Sequence, residues 1–334
     1  MKKTKKLLAC LIAAATMFTM GSTAFAADAG TTPTTYTDQS TVTIKKAYKL
    51  TNAGTKSPEE TFTLEQVGNG RVTDGDATEA PALETITGAI FGKGVATVDG
   101  TTGNITVALP RYEKVGVYEY TLREIAGKTV GVTYYGNDIK LVVTVINDDN
   151  GNLRIAAVHT EGKGEDKNDT FTNTYSAGKL NITKTVTGNL GDKNKKFHFK
   201  VTLTKPANEE VKSDITATVA GADKGTLALD WTSGSCTYEF DLADGETASL
   251  DNIPYEVEYV VAESDYTAAG YTTTKTGDTG SVNTAEQTAA FTNTKTGDID
   301  TGVNLTTLPY ILVFAGVIVI AGAAFITRRR RFED

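Results

Sequence analysis

Two stretches of this 334-residue chain carry the same three polar residue types in the same order. In the first, Lys46 stands in VTIKK, Glu124 closes YTLRE and Asn173 lies in TFTNTY. In the second, Lys184 stands in LNITK, Glu263 closes YVVAE and Asn293 lies in AFTNTK. The lysine-to-glutamate separation is 78 residues in one block and 79 in the other. Each of the six sits at period-two spacing from apolar neighbours. Lys46 follows Val42 and Ile44, and Lys184 follows Leu180 and Ile182. The glutamates come four residues after Tyr120 and Tyr259, the asparagines two after Phe171 and Phe291. Positions two apart on a strand share a face, so all six are expected on core-facing sides. A lone buried Lys or Glu is expensive. The plainest arrangement is therefore a Lys–Glu ion pair with a hydrogen-bonded Asn in each block. Desolvation opens a second chemistry: it disfavours charge and pushes a lysine toward the neutral amine and a carboxyl toward the neutral acid. A neutral amine is a nucleophile, and an ammonium is not.

The elements that must hold these residues read as strands throughout. STVTIKKAYKL, TFTLEQV, YEYTLREI, KLVVTVI and LRIAAVHT alternate β-branched or aromatic residues with polar ones. The second block repeats the habit in KFHFKVTLTK, GTLALDW, CTYEFDL and YEVEYVVAES. INDDNGNLR between two such runs predicts a hairpin with Asn150-Gly151 at its tip. Its carboxylates miss the alternating positions of a calcium loop. Ala82 to Ala89 is the one stretch with helical character, a turn at most. The small-residue link SAGKL, Ser176 to Leu180, divides the two blocks. Many short strands at this spacing predict an all-β chain of two tandem immunoglobulin-like β-sandwiches. The expected division is residues 1–26, 27–177, 178–295 and 296–334.

The two ends are of another kind. MKKTKK, an apolar stretch and Ala24-Phe25-Ala26 form a secretory signal peptide, with cleavage expected after Ala26. Leu305 to Thr327 is 23 uncharged residues, long enough to cross a bilayer as a helix. Arg328 to Arg331 follow and are expected to stay cytoplasmic, which places everything before Leu305 outside. The formal charge is −8. Loss of the four signal lysines and of a tail carrying a net plus two takes it to about −14. So acidic a surface argues against nucleic acid and anionic lipid as partners. Cys10 leaves with the signal, so Cys236 is left without an internal disulfide partner. It is expected to be a small buried apolar residue. His159 and His198 are too few and too scattered for a zinc site. No metal, no cofactor and no hydrolase constellation is expected.

Asp298-Ile299-Asp300-Thr301-Gly302, the apolar span and the basic tail resemble the sorting signal of Gram-positive surface proteins. Asp298 and Ile299 stand where that family carries Leu-Pro. The resemblance implies sortase cleavage between Thr301 and Gly302 and a wall-anchored, extracellular product. The Lys, Glu and Asn sets resemble the intramolecular isopeptide domains of Gram-positive pilins. The second block, with DLADGETASLDNIPYEVEYVVAES, is similar to a collagen-adhesin B-type domain. The first is similar to the N-terminal domain of two-domain streptococcal major pilins. What the resemblance implies is attack of Lys46 on the side-chain carbonyl of Asn173, with Glu124 polarising the amide and relaying protons to the leaving ammonia. Lys184, Asn293 and Glu263 are implied in the same roles. Such a reaction happens once per domain, so the protein is not expected to be an enzyme with turnover. The implied function is a major (shaft) pilin subunit that supports surface attachment; a single-copy wall-anchored adhesin or minor pilin is the alternative. The implied partners are sortase, neighbouring copies head to tail, peptidoglycan or a basal pilin, and a host surface ligand. In GKGEDKNDTFTNTY, Lys167 is the expected intersubunit lysine and Lys163 the second choice, although the Tyr-Pro-Lys type of pilin motif is absent.

Overall fold

The computed structural model describes residues 39–162 and 167–298. The expected signal peptide, the expected sorting residues Thr301 and Gly302, the apolar run and Lys163 lie outside them. The described chain is all-β, and its one helical element is a 3-10 turn at Thr267–Ala269. No described helix is long and apolar enough to cross a membrane.

Twelve principal strands set the architecture. The first block contributes β1 (Thr41–Leu50), β2 (Thr101–Ala108), β3 (Gly116–Glu124), β4 (Ile139–Asn147), β5 (Leu153–Glu161) and β6 (Thr170–Tyr175). The second contributes β7 (Ala177–Thr187), β8 (Phe197–Thr204), β9 (Ser235–Leu242), β10 (Thr247–Pro254), β11 (Glu258–Glu263) and β12 (Glu286–Thr294). One sheet of the first block runs β2-β1-β6, with Ile86–Thr87 and Val132–Thr133 at its edges. The facing sheet runs β5-β4-β3 and is completed by Leu64–Gln66 and Arg71–Gly75. In the second block β10-β7-β12 lies at the centre of one sheet and β9-β8-β11 makes most of the other.

In each block the first strand pairs in parallel with the last, β1 with β6 and β7 with β12, while most other ladders are antiparallel. This parallel pair matters for the site. Non-local closure brings the two ends of each block side by side, and the facing sheet lies across them.

Alternation builds two cores. Ile44, Tyr48, Ile105, Tyr118, Tyr120, Leu141 and Phe171 fill one, and Leu180, Ile182, Phe197, Phe199, Val261 and Phe291 fill the other. Aligned sandwich packing of this kind follows from inward-facing residues at period two on both sheets. The cores interlock at the junction: Val130 of the first block packs in the second core, and Ala177 packs in the first. Ser176 alone separates β6 from β7. Gly178 is required just beyond, because a Cβ there would lie 2.2 Å from the backbone oxygen of Thr284.

The hairpin predicted at Asn150-Gly151 joins β4 to β5. Asp148 Oδ1 accepts from the backbone of Asn150 and Asn152, and Gly151 takes φ 84°. The helical turn expected at Ala82–Ala89 is absent: residues 82–85 are irregular, and short strands occupy Ile86–Thr87 and Ala89–Phe91. There Phe91 is needed in the core beside Tyr48 and Phe62, and packing of these rings overrides local propensity.

Candidate functional site

Lys46 enters the first core on the buried face of β1, at 1 % exposure. One pleat repeat further along the parallel partner strand, Asn173 enters on the buried face of β6. The register places Lys46 opposite Phe171, so Asn173 is its diagonal neighbour two residues on. Such diagonal positions are within reach of a long side chain. Glu124 arrives from the last residue of β3 in the facing sheet, so the set bridges both layers of the sandwich.

The three side chains meet. The Lys46 amine lies 2.6 Å from Asn173 Oδ1 and also donates to Glu124 Oε2. Asn173 Nδ2 donates to the other carboxyl oxygen, Oε1. Glu124 thus touches the amine with one oxygen and the amide nitrogen with the other. Asn173 Oδ1 also accepts from the backbone N–H of Tyr135 at 2.9 Å. The rings of Phe62 and Tyr135 flank the amine at 5.4 and 5.6 Å. Burial holds the Lys46 amine below its ordinary pKa; the Glu124 carboxylate pulls the other way and is outweighed.

The second set repeats this register. Lys184 lies opposite Phe291 on β12, and Asn293 is again two residues on. Glu263 comes from the last residue of β11 in the facing sheet. Lys184 Nζ lies 2.7 Å from Glu263 Oε1, and Asn293 Nδ2 donates to that same oxygen at 3.0 Å. The second oxygen of Glu263 accepts from Thr273 at 3.3 Å. Phe197 and Phe199 flank the amine at 4.1 and 5.9 Å. Desolvation again lowers the lysine pKa, against the pull of Glu263. Asn293 Oδ1 is buried and has no hydrogen-bond partner among the described residues.

Tyr135, Thr273 and the flanking rings were not singled out by the sequence. They come from strands and loops remote from the lysines, and a one-dimensional pattern carries no signal for them beyond the alternating aromatics of FHF at 197–199. Of the remaining expected positions, Lys167 is exposed and makes an isolated bridge to Glu161 immediately before β6. Cys236 is buried at 7 % exposure, and its thiol is pushed up to about 11 by burial, which makes it an inert packing residue. Each histidine pairs with a carboxylate, His159 with Glu161 and His198 with Asp241, and the described residues hold no metal-binding cluster.

Tandem β-sandwiches, each with a lysine, a glutamate and an asparagine converging in a buried core beside parallel first and last strands, define the class of protein. Residues 41–176 match the family of Spy0128-like isopeptide containing domains, and residues 178–295 match a domain family of unknown function, DUF7601. A pilin of Streptococcus pyogenes serotype M1 is 28 % identical over 313 residues, covering 86 % of this chain and 90 % of that one. The crystal structure of the major pilin from Streptococcus pyogenes aligns over 78 % of this chain and 100 % of its own, with 26 % identity and a TM-score of 0.54. A second Streptococcus pyogenes major pilin, T3.2, shares the fold at 20 % identity, over 78 % of this chain and 99 % of its own, with a TM-score of 0.54. Residues 41–176 belong with the Spy0128-like isopeptide containing domains, and the two-domain chain is similar over most of its length to streptococcal major pilins.

Proposed function

We propose that this chain is the shaft subunit of a covalent pilus, polymerised by sortase and locked by two self-formed isopeptide bonds. The observation that carries the reading is the repeated convergence of amine, carboxyl and carboxamide in both cores at the same strand register. Lys46 Nζ attacks Cγ of Asn173. Glu124 takes a proton from the amine through Oε2 and delivers one to Nδ2 through Oε1. The C–Nδ2 bond breaks, ammonia leaves, and a secondary amide remains. Lys184, Asn293 and Glu263 take the same roles in the second domain, where the one oxygen Oε1 of Glu263 faces both the amine and the amide nitrogen. Contact between the reacting groups supplies the effective concentration that a free amine and amide lack. A low lysine pKa in each core favours the nucleophilic form.

The expected division at residues 177/178 fits the limits of the two matched families and the single-residue link at Ser176. Polymerisation is supported by where the chain leaves each domain. Lys167 precedes β6 at the end of the first domain remote from the junction. The last described residues follow β12 at the opposite end of the second, where Gly297 is held by Asn189. In this reading Ala26 ends the signal peptide, and sortase joins the Thr301 carboxyl to Lys167 of the next copy. Lys163 is the second choice. The last subunit passes to peptidoglycan or to a basal pilin, outside the cell.

The test is the intact mass of the secreted piece from Ala27 to Thr301. Two bonds release two ammonias and make it ~34 Da lighter than its sequence mass. Tryptic peptides joining Lys46 to Asn173 and Lys184 to Asn293 are expected; an unshifted mass overturns the cross-link. A ladder of covalent polymers in wall extracts is expected for a shaft subunit, whereas a single band would mean a monomeric adhesin.

A further inference from the structure

Besides using the glutamate oxygens differently, the two sites differ at the amide oxygen. Asn173 Oδ1 accepts the backbone N–H of Tyr135 at 2.9 Å, besides the contact with Lys46. Asn293 Oδ1 has no hydrogen-bond partner among the described residues. The difference falls on the oxygen that must carry negative charge when an amine adds to the amide carbon.

We propose that the backbone N–H of Tyr135 is a one-donor oxyanion hole for Asn173, and that the first domain therefore cross-links faster than the second. This rests on the isopeptide reading given above. In the ground state Oδ1 has two donors, Lys46 Nζ and Tyr135 N. Once Nζ bonds to Cγ it no longer serves as a separate donor to Oδ1. The Tyr135 N–H remains, fixed in place before charge develops, in a core where a preorganised donor is worth far more than in water. When the intermediate collapses, the electron pair returns from Oδ1 to re-form the carbonyl, Nδ2 leaves as ammonia, and the amide oxygen keeps the same donor. The second site forms the same tetrahedral oxygen without that donor.

The fold holds the donor still. Tyr135 follows Val132–Thr133, which pairs with β6 at Thr174 and Tyr175, directly beyond Asn173. The Tyr135 ring packs edge-on against Phe171 at 5.1 Å, two residues before Asn173 on the same face. Its ring also lies beside the Lys46 amine. Backbone pairing on one side and ring packing on the other fix the N–H relative to Asn173.

The decisive change removes only that hydrogen. An α-hydroxy analogue of tyrosine incorporated at position 135 replaces the amide by an ester and leaves the side chain intact. The protein is made by in vitro translation and quenched in acid at intervals, and the Lys46–Asn173 and Lys184–Asn293 peptides are counted by mass spectrometry. In the wild type, the first bond is expected to form before the second. In the ester variant, the first bond is expected to slow by about 100-fold, in the range found for loss of one oxyanion donor, while the second keeps its rate and serves as the clock in the same molecule. An unchanged first-site rate overturns the proposal. Absence of both bonds in the wild type overturns the isopeptide reading instead. The same ester in an Asn173→Ala protein should leave the unfolding midpoint close to that of Asn173→Ala alone; a collapse of that midpoint would give the N–H a structural role and also overturn the proposal. Independently of any change at 135, the unlinked Glu124→Ala protein should show NMR coupling across the hydrogen bond from Tyr135 N to Asn173 Cγ. Its absence in a folded sample would likewise overturn the proposal.

Discussion

At the scale of single residues, the chemistry turns on which proton state each lysine holds. Burial lowers the pKa of Lys46 and of Lys184, so each amine is neutral at a lower pH than an exposed lysine. Only the neutral amine attacks. With a photocaged lysine at position 46, released by light in the folded protein, the rate of bond formation should therefore fall as pH drops through the lowered folded value. It should level off well before the ordinary 10.5. A rate that keeps rising to the ordinary value would mean the amine is not desolvated. The same shift has a stability consequence where no bond can form. In Asn173→Ala the unfolded chain binds the extra proton between the folded value and 10.5, so stability should rise with pH across that window, measured by urea unfolding against a Lys46→Met, Asn173→Ala control. At the carboxyl, Glu124→Gln removes the proton relay but not the shape. The mass deficit should drop from ~34 to ~17 Da, with the second bond intact. Retention of the full deficit would remove Glu124 from the mechanism.

At the scale of elements, the useful unit is the parallel pair of first and last strands. The diagonal from lysine to asparagine needs one register in both domains, and a one-residue slip would turn every side chain to the other face. A bond from Lys46 to Asn173 closes a separation of 127 residues. By analogy with a disulfide this removes about 5 kcal/mol of unfolded-state entropy. Lys46→Ala adds the loss of a buried stem, so Asn173→Asp is the gentler comparison, provided mass confirms that no bond forms. The first domain of that variant should unfold at markedly lower denaturant, and the second should hold its midpoint. Loss confined to a few tenths of a kcal/mol would mean the bond adds no closure constraint. The strands and the facing of all six site residues were legible in sequence, because period-two alternation survives in VTIKK, YTLRE and TFTNTY. The Tyr135 donor was not legible, since a backbone N–H leaves no mark on residue type. The extended run at Ile86–Phe91 was also missed, because its conformation is set by rings from β1 and from Glu60–Phe62 that lie far away in sequence.

At the scale of the whole molecule, the path of tension follows from strand order alone. Let a pilus pull between Lys167 and the chain beyond Asp298. The force enters just before β6, runs down β6 through Ser176 into β7, and reaches Lys184. The run 170–187 spans on the order of 60 Å at about 3.3 Å per residue. From Lys184 the Lys184–Asn293 bond carries the load directly into the last residues of β12 and out of the molecule. Residues 185–292 are bypassed. Residues 39–162 are not on the path at all, because Lys167 follows them in the chain. On the proposed linkage the two bonds would differ in duty: the second would bear load, and the first would keep β1 attached to a strand under tension. Pulled from Lys167 to a C-terminal handle in a single-molecule experiment, the wild type should not lengthen before the handles fail. Asn293→Ala should release about a hundred residues, an extension on the order of 300 Å. Asn173→Ala should lengthen no more than the wild type, although its first domain melts earlier in denaturant. Extension of Asn173→Ala by a whole domain would show that force enters through the N-terminal strands, and so that Lys167 is not the point of linkage.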